Sequence, residues 1–217
     1  MFFLLPLFLL LPGLAKADFV ASAGLVGGSF ESKEESLAGN PLLEVSSYFG
    51  FRGGAEFGNS YVSLFGTFDL GKGNGNTEYD YENPDNSSDQ AQVSNLDTAM
   101  WLSRASGGLR LRFIKLKTFR MYTGAGLEYG VMNLVYDKED FKSKRSSTTG
   151  FEEGEKRNFR GWFGQLGMEF ILDSDTGFRL QVQKDYFRTD AFETLNQKKL
   201  NFETTTFSLS FMQYIDM

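Results

Sequence analysis

Side chains of opposite character alternate along residues 100–113, MWLSRASGGLRLRF. One parity carries Trp101, Leu109 and other apolar or small residues, whereas the other parity carries three arginines. Because successive side chains of a β-strand point to opposite faces, this segment as a strand has one apolar face and one charged face. The apolar face needs a nonpolar environment, and the arginines need carboxylate partners or water. The alternation therefore predicts a strand between two very different environments.

The same two-residue period recurs in eight segments, and no segment shows the sustained helical spacing i, i+3, i+4, i+7. The segments are 19–30, 42–52, 61–70, 100–113, 119–132, 161–172, 178–187 and 202–212. Short connections lie near 58–59, 115–117 and 173–176. They alternate with long polar connections at about 31–41, 72–97, 137–157 and 189–199. This order predicts an all-β fold: an eight-stranded antiparallel up-and-down β-barrel with tight turns at one rim and long connections at the other.

The segment 119–132, FRMYTGAGLEYGVM, has glycines spaced almost as in a nucleotide-binding loop. A dinucleotide fingerprint requires G-x-G-x-x-G between a strand and a helix. Gly124, Gly126 and Gly130 are one residue too far apart for it, and the strand period continues through them. The segment therefore predicts a strand with one small or charged face.

The orientation of the apolar face distinguishes a transmembrane barrel from a soluble one. A soluble, lipocalin-like barrel points its apolar parity inward around a ligand, whereas a transmembrane barrel points it outward to lipid. Aromatic residues flank each short turn, as in an interfacial girdle: Phe57 and Tyr61, Phe113 and Phe119, Phe170 and Phe178. Glycine and serine crowd the polar parity, as a narrow interior requires. These features predict a transmembrane barrel, with the soluble secreted lipocalin-like binding barrel as an alternative.

In the transmembrane orientation the charged parity lies inside the barrel. The predicted interior charges are Glu44, Arg52, Asp69, Arg104, Arg110, Arg112, Arg120, Glu128, Glu169, Arg179 and Asp185. They either line a polar conduit or pair with one another and fill the lumen. Because the interior of an eight-stranded barrel is only just wide enough for side chains to fill, we expect a structural network of ion pairs. A small passive channel for ions or apolar solutes is the alternative.

Composition excludes several kinds of chemistry. The chain has no cysteine and no histidine, so disulfides, thiolate chemistry and imidazole ligands are absent, and we expect neither an enzyme nor a bound cofactor. The net charge of -6 argues against a nucleic-acid partner. Asp80, Glu82, Asp85 and Asp89 lack the spacing of a calcium-binding EF-hand loop, so we expect a hydrated acidic connection and no metal site.

The first residues, MFFLLPLFLLLPGLAKA, form an apolar run that ends in the small-x-small pattern Ala15-Lys16-Ala17. A membrane-spanning helix needs about 20 apolar residues, which is more than this run offers. We therefore expect a cleaved signal peptide at 1–17 and one barrel domain at 18–217.

The exported, eight-segment pattern, the GAGLEYG strand and the closing FSLSF at 207–211 resemble the small outer-membrane barrels of the outer-membrane protein A and X type. The resemblance covers 18–217. It implies a bacterial outer-membrane location, a monomer, contact with membrane lipid and lipopolysaccharide, and insertion by the outer-membrane assembly machinery. It also implies a structural scaffold whose long extracellular loops serve surface contact or envelope integrity.

Overall fold

The computed structural model describes residues 18–36, 39–81, 92–136, 154–173, 175–192 and 198–216. They form the strands β1 (Asp18–Glu31), β2 (Leu43–Gly58), β3 (Val62–Tyr81), β4 (Gln92–Lys115), β5 (Phe119–Tyr136), β6 (Gly154–Ile171), β7 (Thr176–Phe192) and β8 (Lys198–Asp216). The predicted signal peptide 1–17 lies outside the described residues. No helix in the described part is long and apolar enough to cross a membrane.

Each strand pairs antiparallel with the next, and β1 pairs with β8, so the sheet closes into a barrel. The closing register runs from Asp18 opposite Asp216 to Ser29 opposite Thr205. Closure leaves no strand edge, so backbone hydrogen-bonding groups find partners within the sheet without water. The predicted eight-stranded up-and-down barrel is confirmed.

Two of the tight turns are held by a side-chain acceptor near their start. Asn59 Oδ1 accepts hydrogen bonds from the backbone N–H groups of Tyr61 and Val62, both at 2.8 Å. Asp173 Oδ1 accepts from the N–H groups of Asp175 at 2.9 Å and Thr176 at 2.7 Å. Such Asx contacts favour a tight turn because they replace a backbone acceptor.

The charge on Asp173 should make the stability of its turn depend on pH. Hydrogen bonds from the N–H of Asp175 and from the hydroxyl and N–H of Thr176 hold the pKa of the Asp173 carboxyl below its usual value. A carboxyl with a lowered folded-state pKa stabilises the fold above its unfolded-state pKa, which is about 4, and loses this effect as pH falls through the folded-state pKa. Asp173→Asn keeps an acceptor without the charge. We expect the urea midpoint of the wild type to exceed that of the variant at neutral pH and the two to converge in acid; a difference independent of pH would contradict this role.

Several strands extend farther than predicted. The segments 72–81 and 92–97, which were predicted as part of a long connection, form a continuous ladder between β3 and β4 from Lys72 opposite Trp101 to Tyr81 opposite Gln92. β6 likewise begins at Gly154, and β7 continues to Phe192. The predicted strand limits were wrong because each strand was ended where its outward-facing residues change from apolar to polar. Backbone pairing does not end there.

The barrel has two parts that differ in polarity, and β8 shows both. Nearer the tight turns, Phe207 and Leu209 are exposed on the outside while Ser208 is buried inside. Nearer the long connections, Leu200 and Phe202 are buried inside. We call the first part the apolar band and the second part the extension. The strand period is the same in both parts. The buried, inward-facing side chains are polar in the apolar band and apolar in the extension.

Candidate functional site

The buried charges inside the apolar band form two layers. The lower layer, nearer the tight turns, contains Glu56, Glu169, Arg110, Arg112 and Arg179. The upper layer contains Arg52, Asp69, Arg104, Glu128 and Asp185. All of these residues are at most 7% exposed. Because the two layers together hold five arginines and five carboxylates, their formal charges cancel.

Glu56 is the centre of the lower layer. Its Oε2 lies 2.6 Å from Arg179 Nη2, and the carboxylate also pairs with Arg110 and Arg112. Ser63 Oγ donates to Glu56 Oε1 at 2.5 Å. The second carboxylate, Glu169, contacts Arg179 Nη2 at 2.7 Å and Arg112 Nε at 3.0 Å. Three arginines therefore share two carboxylates, and Glu56 is the one that all three contact.

Asp69 and Arg104 organise the upper layer. Arg52 donates to Asp69 through two nitrogens, at 2.7 and 2.8 Å, which is the bidentate geometry that favours arginine over lysine. Arg104 Nη2 lies 2.6 Å from Asp69 Oδ2. Arg104 Nη1 lies 3.1 Å from Asp185 and 3.3 Å from Glu128. This layer has one carboxylate more than it has arginines, the reverse of the lower layer.

Aromatic rings hold the Arg110 side chain in place. Its guanidinium carbon lies 4.5 Å from the centre of the Phe65 ring and 4.4 Å from that of Tyr122. Contacts of this kind are cation–π interactions, which gain strength when the cation is buried. Tyr122 has room to lie there because residue 167 is glycine; a Cβ at Gly167 would lie 2.3 Å from the Tyr122 ring.

Polar side chains of β7 connect the two layers. Tyr122 Oη donates to Gln181 Oε1 at 3.0 Å, and Gln181 Nε2 donates to Gln183 Oε1 at 3.0 Å. Gln183 Nε2 then donates to Asp185 Oδ1 at 2.5 Å. The network is continuous through the apolar band, so its members hold one another in place.

A cluster of buried apolar side chains fills the lumen of the extension. We call this cluster the apolar plug; its members are Val26, Phe30, Leu42, Leu43, Val45, Tyr48, Leu96, Met100, Leu102, Met132, Leu134, Tyr136, Phe159, Phe187, Phe192, Leu200 and Phe202. The Phe187 ring centre lies 4.6 Å from that of Phe159 and 4.9 Å from that of Phe202. The lumen is thus filled by ion pairs in one part and by apolar packing in the other.

The glycines of the GAGLEYG segment serve this packing. A Cβ at Gly124 would lie 2.6 Å from Gln165 Nε2, and a Cβ at Gly130 would lie 2.4 Å from the Phe159 ring. β5 continues through them without a turn. The spacing that resembles a phosphate-binding loop therefore reflects a crowded interior.

Of the eleven predicted interior charges, the structure places nine in the two layers, Arg120 near the tight-turn rim and Glu44 on the outside. The residues brought together in the two layers are Arg52, Asp69, Arg104, Arg110, Arg112, Glu128, Glu169, Arg179 and Asp185. Arg120 is half-buried near the tight-turn rim, with its guanidinium carbon 5.6 Å from the Tyr214 ring centre. Among the described residues it forms no ion pair.

Glu44 requires a correction, because it is exposed and faces outward. A register shift in β2 between Val45 and Ser47 changes which parity faces the lumen. Leu43 and Val45 are buried before the shift, and Tyr48 is buried after it. Alternation counted back from Arg52 without this bulge assigns Glu44 to the wrong face.

Glu56 was not predicted, although the sequence contains the pattern that identifies it. The predicted segment ended at Arg52, whereas β2 continues to Gly58. Continuing the alternation through Gly54 places Glu56 on the same face as Arg52. The four acidic residues considered for calcium, Asp80, Glu82, Asp85 and Asp89, have no described side chains. Among the side chains that are described, no group of three or more acidic residues could hold a metal ion.

Solved structures with the same fold are outer-membrane and surface proteins of bacteria. The outer membrane protein OprG from Pseudomonas aeruginosa matches with a TM-score of 0.55 and 13% identity, over 94% of this chain and 99% of that one. Neisserial surface protein A matches with a TM-score of 0.52 and 12% identity, over 91% of this chain and 97% of that one. No protein-family model and no curated protein sequence matches the chain. At these identities the likeness establishes the fold: a small outer-membrane-type β-barrel.

Proposed function

We propose that this chain is an integral outer-membrane protein whose sealed barrel is a scaffold that presents its long connections outside the cell. The observation that carries this proposal is the apolar exterior of a barrel with a charged interior. Leu127 is 72% exposed, Phe51 68% and Leu109 47%, and they belong to a continuous outward-facing band. Soluble monomers rarely expose apolar patches above a few hundred Å². Lipid tails accommodate such a band, and the closed sheet leaves no backbone group unpaired within it.

Aromatic side chains support the same orientation. The chain has two tryptophans, Trp101 and Trp162, and both face outward where the apolar band meets the extension. Phe57, Phe113 and Phe178 face outward near the tight turns. Aromatic girdles of this kind mark the two membrane interfaces of outer-membrane barrels. Short turns in such barrels face the periplasm, so the extension faces outward from the cell.

The four connections at the rim of the extension comprise residues 32–42, 82–91, 137–153 and 193–197. Because loops on a rigid scaffold commonly carry recognition, we assign surface contact or envelope integrity to them. The partners are membrane lipid and lipopolysaccharide, with the assembly machinery acting during insertion, and the protein acts as a monomer without a catalytic role. Cleavage after Ala17 stays a prediction.

A sealed lumen distinguishes this scaffold from a passive channel. The ion-pair layers and the apolar plug fill the interior in succession, which supports a closed lumen over a passive channel. Opening a path requires breaking buried pairs, at a cost of about 3–5 kcal/mol for each unpaired charge.

Envelope fractionation followed by planar-bilayer recording tests the proposal. We expect the protein in the outer-membrane fraction, with a gel mobility that differs between boiled and unboiled samples because the closed sheet resists detergent. We expect no conductance steps from the purified barrel, and a general porin in the same bilayer is the positive control. Recovery in the soluble periplasmic fraction without a mobility shift would contradict membrane insertion. Steady single-channel steps would favour the passive channel.

A further inference from the structure

Two arginines lie directly opposite one another on the outer surface of β6 and β7. Arg160 and Arg188 are register partners, and both are exposed. Cβ atoms of such partners are about 4.5–5.5 Å apart, and like charges directly opposite one another destabilise a sheet. Neither guanidinium forms an ion pair with a carboxylate of the described residues. The arrangement therefore lacks a counter-charge within that part of the chain.

The two acidic side chains nearest in register contact other residues and form no ion pair with Arg160 or Arg188. The Glu203 carboxylate pairs with Lys33 at 2.7 Å and with Lys184 at 3.1 Å. Asp190 Oδ2 accepts a hydrogen bond from Asn158 Nδ2 at 3.4 Å. Within the described part of the chain the two arginines therefore have no carboxylate partner, and an external anion can supply one.

Aromatic side chains place the arginine pair at the edge of the apolar band. Trp162 and Tyr186 are register partners one step toward the tight turns, and their rings stack with centres 4.3 Å apart. Tyr129 is the register partner of Arg160 on β5. Tryptophan and tyrosine favour the level of lipid headgroups, so the arginines lie where headgroups lie.

An open groove leads from Arg160 into the apolar band. Ala105 and Gly107 are the small residues of its lining, Leu127 and Tyr129 are the large ones, and Arg160 lies beside them. The groove has a volume of about 580 Å³. This lies within the range of about 300–1,000 Å³ that is common for clefts that hold small ligands. Its lining is mainly apolar, which suits a hydrocarbon chain.

We propose that Arg160, Arg188 and this groove form a binding site for an acyl lipid whose phosphate headgroup carries a net negative charge, which we call the lipid site. The proposal rests on the proposed function, because it requires the barrel to lie in a bilayer. The phosphate lies between the two guanidinium groups and supplies their missing counter-charge, since arginine pairs readily with phosphate oxygens. An acyl chain lies over Ala105 and Gly107. The site thus joins a charged headgroup position to an apolar chain position.

Tryptophan fluorescence provides the test, because Trp101→Phe leaves Trp162 as the single tryptophan beside the site. This variant is reconstituted in phosphatidylcholine vesicles that contain either brominated phosphatidate or brominated phosphatidylcholine, whose bromines quench nearby tryptophan. A basic residue near a lipid surface contributes about 1 kcal/mol, or about fivefold, toward an anionic lipid. We therefore expect phosphatidate to reach half-maximal quenching at a mole fraction at least about tenfold lower than phosphatidylcholine does.

Two double variants in the same background separate the site from general charge. R160Q/R188Q should lose the preference for phosphatidate. K115Q/K117Q changes the net charge by the same amount at the tight-turn rim and should retain the preference for phosphatidate. Heat-dependent gel mobility shows whether each variant is folded. Loss of the preference in K115Q/K117Q, or its retention in R160Q/R188Q, would overturn the lipid site.

The remaining outcomes are also decisive. Equal quenching by the two lipids would overturn the lipid site and leave the membrane barrel intact. Absence of quenching by either lipid would contradict membrane insertion itself. If millimolar inorganic phosphate abolished the preference, the arginines would be a simple anion site and the lipid proposal would fail. If the purified protein had twice the mass of one chain and R160Q/R188Q had the mass of one chain, this face would be an interface between two copies of the chain, and the lipid site would fail.

Discussion

Replacing Glu56 with glutamine should lower the free energy of unfolding by about 3–5 kcal/mol, because it leaves buried arginines without their shared carboxylate. Glu56 is 3% exposed and pairs with Arg110, Arg112 and Arg179. The neighbouring Glu169 contacts Arg112 and Arg179 and does not pair with Arg110. In Glu56→Gln, Arg110 therefore has no carboxylate among the described residues. The urea midpoint of the folded barrel in lipid, followed by gel mobility, measures the effect.

Two carboxylates provide matched comparisons for Glu56→Gln. Glu44 lies on the same strand but is exposed and faces outward, so Glu44→Gln should change stability by less than about 0.5 kcal/mol. Glu128 belongs to the upper layer, where three carboxylates share two arginines. Glu128→Gln leaves Arg104 paired with Asp69 and Asp185 and should cost less than Glu56→Gln. An equal or greater cost for Glu128→Gln would contradict the charge balance assigned to the two layers.

The sequence predicted the barrel well where the contrast between its two faces is greatest. In residues 100–113 each outward position is apolar or small and three inward positions are arginine, so one strand period and one orientation fit the segment. Arg104, Arg110 and Arg112 were assigned inward on that basis, and the structure buries all three. In the proposed membrane orientation, lipid tails outside and ion pairs inside impose opposite requirements on neighbouring residues, which explains this contrast.

The extension was not predicted, because its residues keep the strand period while their polarity reverses. Leu200 and Phe202 are buried inside, whereas Leu209 is exposed outside. A pattern that assigns apolar residues to the outside fails beyond the apolar band, because apolar side chains fill the lumen there. The long polar connections were overestimated for the same reason.

The bulge in β2 and the pairing of Arg160 with Arg188 depend on strand register. Ser46 and Ser47 suit either face of the sheet, so the residues around the bulge do not show where the parity changes. Register across two strands is set by the turns and by the packing of the whole barrel. The sequence alone therefore does not predict that Arg160 and Arg188 lie opposite one another, and the register in the structure is needed to propose the lipid site.

Replacing Leu109 with arginine should lower the stability of the barrel in lipid vesicles by about 2–4 kcal/mol, because a guanidinium group is costly in hydrocarbon. Leu109 faces outward in the apolar band and is 47% exposed in the isolated chain. Ala99 lies on the same face of β4, beyond Trp101 and toward the extension. Ala99→Arg should cost about 0–1 kcal/mol, as is usual near the interface. Urea midpoints in vesicles measure both variants.

The difference between Leu109→Arg and Ala99→Arg also separates the membrane barrel from a soluble barrel. In water, an arginine at either outward position is solvated, and a surface substitution usually changes stability by less than about 0.5 kcal/mol. Both side chains point away from the lumen, so interior packing affects the two variants alike. A large cost for Leu109→Arg alone places this face in hydrocarbon. Equal costs for both variants would show that the apolar band does not lie in the bilayer.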